Sequence, residues 1–161
     1  YRQEYVKALD AAAVPQVQLL GSWLAQWLTS RPRAAQQAAR SSVVKDPDYR
    51  LLLHCTEATH VSGAAKDWQR LYEAFGLSLE VLQSGCCGMA GTYGHELEHR
   101  QTSALIYAQS WQPRVEDPDL QGRLLASGYS CRCQARRFSG AHLPHPLQGL
   151  LACLRHRTKT E

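Results

Sequence analysis

No stretch of this 161-residue sequence approaches ~18 uninterrupted apolar residues, the length that a membrane-crossing helix requires, so a transmembrane helix is excluded. A dense basic face is also missing. The net charge is only +4, and apart from the short cluster Arg132, Arg136 and Arg137 the arginines are scattered among loops, so no nucleic-acid partner is expected. The six cysteines lack the tight, regular spacing of a secreted miniprotein, which argues against a disulfide scaffold and for a reducing compartment. The expected location is therefore cytoplasmic, or peripheral to the inner face of the membrane. An initiator methionine is absent as well: the chain opens at Tyr1 in the middle of a helical pattern, reads as a piece of something larger, and leaves a signal peptide beyond judgement. Its length suits one domain with a core, and two independent domains are not expected.

Among the residues that are present, the most informative are the adjacent Cys86 and Cys87, followed by Gly88, with Cys55 and Cys131 at long range on either side. Neighbouring cysteines do not readily bridge each other, because a disulfide needs well-separated Cα atoms. Two adjacent thiolates are better explained by a cofactor that both reach.

The periodicity predicts an α/β fold. Val14, Val17, Leu20, Leu24, Trp27 and Leu28 form one helical stripe, an amphipathic N-terminal helix that covers a core or a partner, and residues 29–42 read as an exposed connector. An N-terminal segment over 1–42 thus precedes a compact domain over 43–161. In that domain, strands are expected at Tyr49 to Thr56, Leu79 to Leu82, Arg123 to Tyr129 and Ala141 to Leu143. Helices are expected at Ala64 to Phe75, from about His95 to Trp111, at Cys131 to Phe138 and at Pro146 to Arg155, with a loop at Pro113 to Asp119. This alternation implies a roughly four-stranded, mostly parallel sheet with helices on both faces. In such sheets ligands bind beyond the carboxyl ends of the strands, where Cys55, Cys86, Cys87 and Cys131 would all collect.

Four converging thiolates suit zinc or an iron-sulfur cluster. Gly85, Gly88, Gly91 and Gly94 would let backbone N–H groups approach the sulfurs, and the helix near His95 would add its positive end. Metal-free thiol–disulfide chemistry, pairing Cys131 with Cys133 or Cys55, uses the same residues. His54 and His60 can ligate or support a ligand from behind, although a polar rim role is more common. His95-Glu96-Leu97-Glu98-His99 satisfies the zinc-protease pattern, but it follows a glycine-led turn and such an enzyme has no use for the cysteine pair. Tyr93, Tyr129, Trp68 and Trp111 are read as packing residues, and Cys153 as a small buried apolar residue.

The strings HCTEAT (54–59), SGCCGMAGTYGHE (84–96), SGYSCRCQ (127–134) and HPLQGLL (145–151) resemble the C-terminal end of large flavin-linked D-2-hydroxyacid dehydrogenases that fuse an FAD-binding module to iron-sulfur modules. They also resemble the cysteine-rich CCG domain of the heterodisulfide reductases and their relatives. The resemblance covers roughly residues 43 to 155. It implies that Cys55, Cys86, Cys87 and Cys131, cradled at Gly88, hold an iron-sulfur cluster or, in some members, zinc. It also implies that FAD and further iron-sulfur domains lie upstream in the parent chain as partners, that the electron acceptor is unspecified, and that this portion alone is inactive. The family commonly ends in C-x-x-C, whereas this chain reads Cys131-Arg132-Cys133, and only one copy of the usually duplicated motif is present.

Overall fold

The computed structural model describes residues 7–9, 17–31 and 48–157. Val14, the connector from Pro32 to Ser42 and the expected boundary at 42/43 lie outside the described residues. Three parallel strands, β1 (Tyr49–Leu52), β2 (Leu79–Leu82) and β3 (Leu124–Ala126), form a sheet in the order β2-β1-β3. Leu52 pairs with Leu82 on one side and with Ala126 on the other.

Around the sheet, α1 (Leu20–Thr29), α3 (Ala64–Ala74) and α7 (Pro146–Arg157) enclose one core, containing Leu28, Leu51, Trp68, Tyr72, Leu125, Leu150 and Cys153. On the other face α4 (Arg100–Ser110), α5 (Gln112–Val115) and α6 (Tyr129–Ser139) enclose a second core with Leu52, Met89, Tyr107, Trp111 and Ala126. Alternate residues of β1 and β3 enter opposite cores, which is why these strands read as continuous apolar runs. The remaining short helix, α2 (Cys55–His60), follows β1 directly.

The mixed α/β class, the parallel sheet and the helices on both faces are as the periodicity implies. The sheet, however, has three strands among the described residues. Residues 141–143 run without strand structure: Pro144 and Pro146 carry no N–H for a ladder, and the segment adds one backbone bond to the sheet, from Ala126 N–H to Pro144 O at 3.0 Å. The first strand stops at Leu52, and Cys55 already belongs to α2. On α1 the packed face is Gly21, Leu24, Ala25 and Leu28, while Leu20 and Trp27 point outward. A Cβ on Gly21 would lie 2.7 Å from Trp68 Cε2, so glycine is what lets α1 settle on α3.

Candidate metal centre

The chain passes from β1 to β2 on one side and then crosses to β3 on the other, so β1 and β3 are neighbours whose connections leave in opposite directions. A crevice forms at the carboxyl edge of such a pair. Ser127, just past β3, bridges it: its N–H donates to Leu52 O (3.2 Å), and its hydroxyl accepts from His54 N–H (2.9 Å) while donating to Glu57 Oε2 (2.5 Å). Glu57 Oε1 in turn accepts from Trp68 Nε1 at 2.8 Å.

The cysteines lie around this edge. Cys55 is the first residue of α2, Cys86 and Cys87 follow β2, and Cys131 sits in the first turn of α6, where the helix dipole favours a thiolate. The Cys87 and Cys131 thiols share a hydrogen bond, Cys86 also bonds Cys87, and Cys55 is near enough for its charge to act on both Cys86 and Cys131. Gly128 provides the space: a Cβ there would fall 2.6 Å from His54 Cδ2 and 2.8 Å from Cys131 Sγ. All six cysteines are free thiols.

Backbone N–H groups converge on the pair. Gly88 N–H donates to Cys86 Sγ at 3.3 Å, and the N–H groups of Ala90, beside Cys86, and of Met89, beside Cys87, lie near enough to favour the thiolates. The hydrogen bond from Cys131, followed by these N–H groups, lowers the Cys87 pKa to about 7 against the cost of burial. The partner thiol, Cys131, is pushed upward by the same bond and by burial, so the pair readily gives up one proton and holds the other. Burial raises Cys86. Gly88 has φ +87, and a Cβ on it would meet Ser103 O at 2.3 Å, so this corner of the turn accepts only glycine.

Soft sulfur donors, inward N–H groups and a cradle closed to any Cβ fit an anionic metal-thiolate group. Among the described residues, the one trio of potential ligand atoms lying within 4.8 Å of one another is Glu96, Glu98 and His99, so no three cysteine sulfurs lie that close.

Of the other sequence candidates, His54 lies beside Cys131, since a Cβ on Gly128 would touch both its ring and Cys131 Sγ. His95 and His99 end two separate 3₁₀ turns, with Glu96 extended between them, rather than sharing one α-helical face; His99 is 3.3 Å from Glu96 and stacked on Tyr93 at 3.9 Å. For the same reason the helix expected to start near His95 begins at Arg100. Its contacts with the turn, from Ser103 to Ser110, show that it lies alongside the turn and does not aim its positive end at it. His60 bonds Thr59, and Tyr129 is 77% exposed beneath Arg132. Cys133, half-buried, packs against the second core, to which the buried Cys131 also belongs. The position that shares the face of Cys131 is Gln134, fully buried. Gln134, Ser103 and Ser110 are site residues that the sequence did not single out.

No family model and no solved structure matches the chain significantly. It is similar to the D-2-hydroxyglutarate dehydrogenase of Pseudomonas putida, 38% identical over 151 residues, which cover 94% of this chain and 14% of that protein. The Pantoea ananatis D-2-hydroxyglutarate dehydrogenase is 41% identical over 152 residues, again 94% of this chain and 14% of the relative. A weaker similarity, 35% over 80 residues, joins 49% of this chain to 19% of one of the subunits of the anaerobic glycerol-3-phosphate dehydrogenase of Escherichia coli. The chain therefore corresponds to part of larger dehydrogenases, spanning 14% of the length of the first two relatives.

Proposed function

We propose that this chain is the C-terminal iron-sulfur electron-transfer module of an FAD-dependent D-2-hydroxyacid oxidoreductase, with Cys55, Cys86, Cys87 and Cys131 as ligands and Gly88 shaping the turn between them. What supports the reading is the placement of the cysteines beyond three separate strand ends, with Cys86 and Cys131 beside Cys87, Cys55 near enough for its charge to act on Cys86 and Cys131, and Gly88 N–H directed at sulfur. When bound, such a centre takes up and releases electrons singly. The protein's part is to supply thiolates, to offset their charge with N–H groups and to keep water from the buried Cys87 and Cys131. FAD, substrate recognition and the remaining redox centres belong in this reading to upstream domains of the parent chain, with residues 1–42 as the helical segment leading into the cysteine-rich domain over 43–161. A cytoplasmic setting suits free thiols. Among the described residues no helix is long and apolar enough to cross a membrane.

Anaerobic purification with iron, sulfide and zinc analysis and an optical spectrum tests this. Iron with visible absorption that bleaches on reduction is expected, with most of the metal lost in Cys87→Ser. Colourless protein holding zinc would replace the redox reading with a structural or docking zinc module, and equal metal in wild type and variant would overturn the site.

A further inference from the structure

Along the cysteine turn, successive carbonyl groups are each taken by a different donor. Trp111 Nε1 donates to Gly85 O (3.0 Å), Ser110 Oγ to Cys86 O (2.5 Å), Gln134 Nε2 to Cys87 O (3.1 Å) and Ser103 Oγ to Gly88 O (2.7 Å). Gly94 N–H then takes Met89 O at 2.8 Å. The donors form a connected set: Gln134 Nε2 also donates to Ser103 Oγ (2.7 Å), and the Ser110 hydroxyl lies 3.0 Å from Ile106 O in its own helix. Ser103, Gln134 and Trp111 are fully buried.

In a trans peptide the C=O of one residue and the N–H of the next point in opposite directions, and the structure contains no cis peptide among the described residues. Fastening the carbonyls of 86, 87, 88 and 89 away from the sulfurs therefore turns the N–H groups of 87, 88, 89 and 90 toward them. Of these, Gly88 N–H donates to Cys86 Sγ at 3.3 Å, and the N–H groups of Met89 and Ala90 lie near enough to act on Cys87 and Cys86. Where the fourth carbonyl is taken by backbone, the donor must come very close, and a Cβ on Gly94 would lie 2.8 Å from Gly88 O.

We propose that Ser103, Ser110 and Gln134 are positioning residues that hold the cysteine turn in one polarity, carbonyls outward and N–H groups toward sulfur, and thereby set the charge stabilisation at Cys86 and Cys87. The effect on a redox potential rests on the metal-centre reading above, whereas the orientation of the peptides does not. N–H donors favour the more negative state of whatever the sulfurs carry, so loosening the peptides should lower the potential of a bound centre and free these N–H groups to exchange with solvent.

The test uses the full chain with Ser103→Ala, Ser110→Ala, the double variant and Ser110→Thr, each checked for folding by circular dichroism and thermal melting. Amide hydrogen exchange of residues 87–90 is followed in metal-free protein, and the midpoint potential is measured in anaerobically purified protein. The folded double variant is expected to exchange these amides at least about threefold faster, with the amides of β1 unchanged. Its potential should become more negative, with both properties restored toward wild type in Ser110→Thr. Folded variants with wild-type exchange at 87–90 overturn the proposal, even if metal is present. Faster exchange in a chain that holds no metal supports the positioning role while removing the metal-centre reading. Should the double variant not fold, the single Ser110→Ala against Ser110→Thr comparison decides by the same rates.

Discussion

At the scale of single residues, the site depends on positions where one atom more would not fit. Gly88→Ala forces a side chain into φ +87 and onto Ser103 O. The backbone conformation alone costs about 1–3 kcal/mol, and the clash adds to it. A lower melting temperature together with loss of metal is expected, measured by calorimetry and metal analysis. The thiol pair makes a second prediction, for metal-free protein. Cys87 titrates at about 7 when folded against 9.0 unperturbed, so between these values the folded pair has released a proton that the unfolded chain retains, and stability rises with pH. Above that range the unfolded chain loses both protons while Cys131, whose affinity for its proton is raised, keeps one, and stability falls again. Denaturant unfolding of wild type minus Cys87→Ala from pH 6 to 10 should trace this maximum.

At the scale of elements, what was legible in the sequence was whatever periodicity and punctuation encode. The LLL run at 51–53 predicts a strand buried on both faces, Gly76 with φ +70 ends α3, and Pro146 opens α7. The placement of the cysteines beyond strand ends followed from the parallel sheet. Other features depend on tertiary contacts. The short stretch Ala141-His142-Leu143 reads as a strand until the prolines that follow it, Pro144 and Pro146, are asked to donate hydrogen bonds. Residues 93–99 keep helical composition yet break into two 3₁₀ turns at Glu96, whose ψ of 134° is extended. The buried Gln134 and Ser103 carry no motif, since their roles exist only once α4 and α6 flank the cysteine turn. The same reasoning explains Gly21, which looks like a flaw in a helix and is the contact point of α1. Gly21→Val should push α1 off Trp68 at a cost of about 1–3 kcal/mol. Thermal unfolding and a shift of tryptophan emission would register it.

At the scale of the whole molecule, a polar strut crosses the crevice, running from His54 through Ser127 and Glu57 to Trp68. It joins the strand ends that carry Cys55 and Cys131 to the helix on which α1 rests. Replacing Glu57 with Leu leaves the Trp68 indole N–H and the Ser127 hydroxyl without their acceptor, at about 1–3 kcal/mol for each group left unpaired. The expected result is a lower melting temperature with intact secondary structure, read by circular dichroism, and faster amide exchange in α2 than in α6.

The sulfur-bearing segments hang from strands whose pairing joins residues 49–52 to 79–82 and to 124–126, so no contiguous stretch of newly made polypeptide can gather them. In the metal-centre reading the scaffold would close first, with reduced cysteines waiting at its rim, and inorganic components would arrive last. A delivery factor would have to recognise a finished surface, and stripping the inorganic part should leave an empty vessel ready to be refilled without passing through a denatured chain.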